Sequence, residues 1–219
     1  GEYSALVAAG ALSFEDAVLL VHRRGQYMQQ AVPVGEGAMA AVLGKELAEV
    51  EESLHGVSSG IVEIANWNSR QQIVIAGHRE AVEEALRLID SPRAVTLPVS
   101  APFHCELMKS AEEKLAYDLD HVEFRDLRFP IITNVDAAII RTGSEARDGL
   151  KRQVSRTVLW YRAMEILGQQ GVDAAVELGS GTVLSGLLKR ESRGWDPRPV
   201  IQAVGDPETL AAARAALGG

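Results

Sequence analysis

Apolar positions recur along this chain with two rhythms, and the switches between them predict its elements. Residues 2–9, rich in Ala, Leu and Val, read as a helix suited to close packing. Gly10 breaks it, and Ser13 stands as an N-cap for a second helix reaching about Val32. Glu15 and Asp16 fall in its first turn, and apolar positions recur at Val18, Leu19 and Val21. Pro33-Val34-Gly35-Glu36-Gly37 makes a linker. The rhythm then shortens. An apolar strand at 38–43 and a short helix at 45–54 lead to strands at 61–65 and 73–76, separated by a polar turn at 66–70. An amphipathic helix at 79–89 and a strand at 94–99 follow.

That order, βαββαβ, is the split βαβ pattern of a ferredoxin-like unit, and it marks 34–99 as a compact inserted subdomain. After His104 the chain reads as helix at 107–119 and as a short apolar strand at 130–135, followed by helices at 144–154 and 159–169. A buried strand at 174–178 runs into Gly179-Ser180-Gly181 and a helix at 182–190. A strand at 199–203 and a helix at 207–217 close the chain. Strands alternating with helices over 1–33 and 100–219 imply an α/β domain with a mainly parallel sheet covered on both faces.

Composition narrows the class. With 219 residues, 47% apolar and 24% charged, the chain has the make-up of an ordinary globular protein able to bury a substantial core. Cys105 is the only cysteine, which excludes an internal disulfide and a cysteine-based metal cluster and fits a reducing, cytoplasmic setting. The start does not resemble a signal peptide, and no apolar run approaches the roughly 20 residues that span a bilayer, so no membrane is expected. A formal charge of −8 argues against nucleic acid as a partner. Gly1-Glu2-Tyr3 enters a helix at once without a methionine, as expected of a chain cut inside an element.

The candidate chemistry centres on Ala101-Pro102-Phe103-His104-Cys105-Glu106-Leu107-Met108. A proline breaks the preceding strand and delivers a histidine just before a helix, which suits a general base at a strand end. Cys105 beside it invites a Cys/His dyad. Neighbours in extended backbone point to opposite sides, however, so Cys105 is expected to be a small buried filler. Arg23 and Arg24 read as a solvated pair, unless one points inward, where a guanidinium would clamp an anion with two parallel hydrogen bonds. Gly179-Ser180-Gly181 is not a full GxGxxG, since position 184 is leucine, and it reads as a tight strand-to-helix turn rather than a phosphate cradle. Asn66, Asn68 and Ser69 look like turn formers.

Several stretches in one order carry a family resemblance: Gly1-Glu2-Tyr3-Ser4-Ala5-Leu6, Arg24-Gly25-Gln26-Tyr27-Met28, Asn66-Trp67-Asn68-Ser69, Pro102-Phe103-His104-Cys105-Glu106, Asn134-Val135-Asp136, Arg152-Gln153 and Glu177-Leu178-Gly179-Ser180-Gly181. The chain resembles, over almost its whole length, the malonyl-CoA:acyl carrier protein transacylases of fatty-acid synthesis and the related acyltransferase domains of polyketide synthases. The resemblance implies an α/β-hydrolase-like domain with an inserted ferredoxin-like subdomain. It also implies transfer of a malonyl group from coenzyme A to acyl carrier protein through a seryl ester, with no cofactor beyond the coenzyme A thioester that is the substrate.

Carried over residue by residue, the resemblance makes His104 the general base. Gln153 supplies the main-chain carbonyl that orients it, its side chain mattering less. Arg24 becomes the clamp on the malonyl carboxylate, and Phe103 the ring that leaves little room for an α-methyl. Asn66 and Asn68 line the cleft; Arg93, Lys189 and Arg190 meet the acidic carrier protein. The family's nucleophile sits in a Gly-His-Ser-x-Gly elbow. Gly1 matches the elbow's last glycine, so the serine is expected two residues upstream of residue 1, Ser4 is not it, and the chain alone is expected to be inactive. An acyltransferase for another diacid such as methylmalonyl, and a noncatalytic relative that binds carrier protein or acyl-CoA, are the alternative readings.

Overall fold

The structure, a computed structural model, describes residues 1–99 and 101–218. It divides into two compact units, Gly1–Trp160 and Tyr161–Gly219. Ser100, where the sequence reading ends the inserted unit, lies outside the described residues.

The first unit opens with α1 (Glu2–Ala8) and α2 (Phe14–Ala31). Ser13 caps α2 as its sequence predicts, its hydroxyl accepting from the Asp16 N–H at 3.0 Å and filling one of the orphan donors of the first turn. The strands and helices β1 (Gly37–Leu43), α3 (Leu47–His55), β2 (Val62–Ser69), β3 (Gln72–His78), α4 (Arg79–Ile89) and β4 (Val95–Thr96) follow in the expected order. They build one antiparallel sheet with strand order β2-β3-β1-β4. Val42, Val50, Ile73, Ile75, Val82 and Ala85 close the core that α3 and α4 share with this sheet.

Two elements here depart from the sequence reading. The expected turn at 66–70 is strand as far as Ser69. Asn66 and Trp67 stay in the ladder with β3, with register shifts on either side of them. On the opposite edge the Trp67 N–H donates to the Val158 carbonyl and the Val158 N–H to the Ala65 carbonyl, both at 2.9 Å. A distant segment thus supplies the backbone partners that the local polar composition did not suggest. The strand expected at 94–99 shrinks to β4, two residues paired with Ala40 and Ala41. Pro98 has no N–H to continue that ladder.

A 3₁₀ turn at Glu106–Met108 leads into α5 (Lys109–Asp120). The strands β5 (Ile131–Ile132) and β6 (Ile139–Ile140) pair antiparallel, and α6 (Gly143–Arg152) follows. The chain reverses through 133–138, with Ala137 in the left-handed region at φ 48°, so the apolar run at 130–135 becomes one arm of a hairpin rather than a strand of a parallel sheet. Leu6, Leu20, Met108, Leu115, Leu119 and Leu150, all at most 2% exposed, form the main core beneath α1, α2, α5 and α6.

The helix α7 (Trp160–Gln169) carries the boundary into the second unit, where β7 (Ala174–Leu178), α8 (Val183–Glu191), β8 (Val200–Val204) and α9 (Pro207–Ala216) follow. β7 and β8 form the one parallel strand pair among the described residues, so the expectation of a mainly parallel sheet narrows to this pair. β7 is not the buried strand its composition suggests, since Leu178 is 78% exposed. Strand side chains alternate between faces. Glu177 turns toward the start of α8, and Val176 and Leu178 therefore turn away from it.

Candidate functional site

The histidine loop is held rigidly before it presents anything. Cys105 is fully buried with its Sγ 3.1 Å from the Pro102 carbonyl, and the Glu106 N–H donates to the Glu63 carboxylate of β2 at 2.5 Å. Between these anchors His104 adopts φ 61°, one of three non-glycine residues in the left-handed region among those described. Such a conformation costs about 1–3 kcal/mol and persists only where the surroundings enforce it. It also replaces the extended backbone expected between His104 and Cys105. The dyad fails instead on the thiol, whose pKa burial pushes up to about 12, leaving it protonated near pH 7.

The His104 Nδ1 lies 2.8 Å from the main-chain carbonyl of Gln153. Gln153 is the C-cap of α6, and the last carbonyls of a helix have no partner within it, which leaves this oxygen free to accept. A carbonyl cannot donate, so Nδ1 carries the proton and Nε2 keeps its lone pair. Burial, with a smaller push from the Arg24 charge, lowers the His104 pKa from its usual 6.5 to about 4 despite the Gln153 hydrogen bond. An imidazole in this state is neutral near pH 7 and able to take a proton at Nε2. It borders a cleft of about 350 Å³ lined also by Glu63, Ile64, Val135, Ser155 and Thr157.

Arg23 and Arg24 separate. The Arg23 side chain is half exposed and pairs with Asp118 at 2.7 Å. Arg24 turns inward, with its Nε buried and without a hydrogen-bond partner among the described residues. Burial lowers its pKa, and the charges of Tyr3 and Glu2 resist that shift. His104, Gln153 and Arg24 are thus brought to one locality, linked by the Gln153 carbonyl and by the field of the guanidinium. Half-buried Phe103 packs against the main core beside them. Asn66 and Asn68 lie on β2, which also supplies Glu63 and Ile64 to the cleft. Arg93 is an exposed residue of the first unit, and Lys189 and Arg190 are exposed residues of the second.

Sequence reasoning passed over Glu2. This carboxylate is 7% exposed, and its Oε2 accepts from the Asn134 N–H at 3.1 Å, the Asn134 Nδ2 at 2.5 Å and the Gln153 Nε2 at 2.5 Å. The signal was a glutamate in an otherwise apolar first turn, where a buried charge needs partners. The Gln153 side chain, expected to matter less than its backbone, is thus engaged by Glu2. In the second unit, Glu177 accepts from the Leu184 and Ser185 N–H groups at 3.1 and 2.7 Å. The chain's own carboxylate therefore occupies the N–H groups at the start of α8, in keeping with Gly179-Ser180-Gly181 as a strand-to-helix turn rather than a phosphate cradle.

Residues 1–206 match the model of the acyl transferase domain. The chain belongs to the acyl transferase domain family. It is 46% identical over 194 residues to the malonyl CoA-acyl carrier protein transacylase of Escherichia coli K12, covering 87% of this chain and 63% of that protein. The solved malonyl CoA-acyl carrier protein transacylase of Coxiella burnetii superposes with a TM-score of 0.93 at 40% identity, covering all of this chain and 69% of that one. A malonyl-transacylase solved in complex with its type II polyketide acyl carrier protein superposes with a TM-score of 0.92 at 41% identity, over 97% of this chain and 69% of that one. The chain therefore spans somewhat less than two thirds of the length of the Escherichia coli relative.

Proposed function

We propose that this chain supplies the base and the anion clamp of a malonyl-CoA:acyl carrier protein transacylase. The observation that carries the reading is the His104 imidazole, fixed by the Gln153 carbonyl at 2.8 Å in the tautomer a base requires, within the field of the inward-facing Arg24. The nucleophilic serine belongs, on this reading, to an elbow preceding Gly1. His104 Nε2 takes the serine proton as Oγ attacks the thioester carbonyl, and it returns that proton to the coenzyme A sulfur as the C–S bond breaks. The phosphopantetheine thiol of the carrier protein then gives its proton to Nε2, attacks the ester and displaces the serine, which is reprotonated. Arg24 pairs with the free carboxylate of the malonyl group and selects diacids, because an unfilled buried guanidinium is costly.

The names of the relatives support malonyl-CoA and acyl carrier protein as substrates, and Phe103 favours malonyl over its α-methyl homologue. The strand order β2-β3-β1-β4 supports reading 34–99 as a ferredoxin-like subdomain. The parallel β7–β8 pair with α8 between its strands supports the α/β character of the second unit, and the reading of 1–33 with 100–219 as an α/β-hydrolase-like domain rests on the family resemblance. Asn66 and Asn68 lie on β2, the strand that supplies Glu63 and Ile64 to the cleft, and are not themselves among the residues lining it. Exposed Arg93, and separately Lys189 and Arg190, offer cations to an acidic carrier protein and offset the chain's own −8 charge locally. We place the enzyme in the cytoplasm and assign it no cofactor beyond the thioester substrate.

Intact-mass analysis and peptide mapping of the full-length protein after incubation with malonyl-CoA test this. We expect a malonyl ester on a serine outside these 219 residues, discharged by carrier protein and slowed by His104→Ala about a hundredfold or more. A stable malonyl adduct within the 219 residues would overturn it.

A further inference from the structure

Glu2 has no part in the steps above, yet it is the most heavily hydrogen-bonded buried carboxylate near them. Its Oε2 receives three N–H groups from two loops that are distant in sequence: the backbone and side-chain amide of Asn134, and the side-chain amide of Gln153. Gln153 faces two ways. Its side-chain Nε2 donates to Glu2, while its main-chain carbonyl accepts from His104. The residue sits at the C-cap of α6, where backbone orientation is the least constrained by the helix itself, and it is only 6% exposed. A hydrogen bond of 2.5 Å from its side chain to Glu2 therefore limits how the peptide carrying the carbonyl can turn. The two Asn134 bonds fall on the same Oε2; Asn134 also anchors the chain beyond α6, its carbonyl accepting from the Leu159 N–H at 2.7 Å.

We propose that Glu2 is a positioning residue for the base, acting through the Gln153 side chain to hold the Gln153 carbonyl on His104 Nδ1. The inference rests on His104 serving as the base of the proposed transfer. Glu2 touches no reacting atom. Its effect reaches the chemistry as the fraction of imidazole held with the proton on Nδ1, and a wrong tautomer is inert as a base at Nε2.

The test uses the full-length protein with ¹⁵N-labelled histidine, in which the imidazole nitrogen shifts report the tautomer without any turnover. Two variants break the same contact from its two ends: Gln153→Met, which keeps the backbone and the helix, and Glu2→Leu. Wild type is expected to hold His104 as the Nδ1–H form. Both variants are expected to shift it to a tautomer mixture and to lower kcat about tenfold or more. Gln153→Met, which leaves Arg24 alone, is expected to do so with the KM for malonyl-CoA unchanged. The double variant loses no more than the worse single one, and Glu2→Gln, which keeps an oxygen in place, restores the Nδ1–H signal.

Unchanged tautomer in Gln153→Met, or losses that multiply in the double variant, would overturn the proposal. Should Glu2→Leu fail to fold, Gln153→Met decides alone. A wild type that transfers no malonyl removes the transacylase reading, while the tautomer readout still decides whether Glu2 positions the imidazole.

Discussion

Arg24 and Arg23 are neighbours in sequence with opposite fates, and the difference is where the useful charge is found. Arg23 is half exposed and neutralised by Asp118, whereas Arg24 is turned inward with an Nε that has no hydrogen-bond partner among the described residues. Replacing Arg24 with Ala in the full-length protein is expected to lower malonyl transfer relative to acetyl transfer about tenfold to a hundredfold, the range of a charged hydrogen-bonded pair. Competition between the two thioesters measures this, and an unchanged ratio moves the clamp elsewhere. The same substitution has a pH consequence. Burial is the main cause of the low His104 pKa and the Arg24 charge adds a smaller push, so removing Arg24 raises that pKa only slightly, and the acid limb of kcat/KM moves a little upward from about pH 4. His104 is half-buried and held neutral near pH 7. Its contribution to stability is complete above about 6.5 and is lost as pH falls toward about 4, because the unfolded imidazole takes up its proton first.

At the scale of elements, the site depends on α2 and α5 staying together. Asp118 of α5, 8% exposed, accepts from Arg23 at 2.7 Å and from the Tyr27 hydroxyl at 2.8 Å, both on α2. Asp118→Ala removes the shared acceptor while leaving the half-exposed Arg23 free to hydrate. The expected loss is about 1–2 kcal/mol, toward the lower end for a charged hydrogen-bonded group. A urea unfolding midpoint measures it; no shift would make the clasp incidental.

Elements with strong local signals were legible in the sequence. The Ser13 cap placed α2, and the apolar period of 79–89 placed α4 to the residue. Those set by distant partners were not. Asn66, Asn68 and Ser69 look like turn formers, yet they lie in β2, whose open edge Val158 completes at 65–67, and β4 is cut short by Pro98. Likewise, His104 and Arg24 were legible from residue type and family motif. Glu2 was not, because its partners Asn134 and Gln153 lie more than 130 residues away.

For the molecule as a whole, the account joins a family, shown by the match over residues 1–206, to a geometry read from the first compact unit. One residue from the loop after β4, one from the end of α6 and one from the start of α1 join in a chain of hydrogen bonds, and Arg24 of α2 acts on them through its charge. The most direct test is a crystal structure of the full-length protein with malonyl-CoA or malonate bound. The account predicts the free carboxylate paired side-on with the Arg24 guanidinium and the reacting carbonyl on the Nε2 side of His104, with Nδ1 still on the Gln153 carbonyl. A carboxylate seated away from Arg24, or those two groups too far apart for a three-carbon diacid to lie between them, would contradict it.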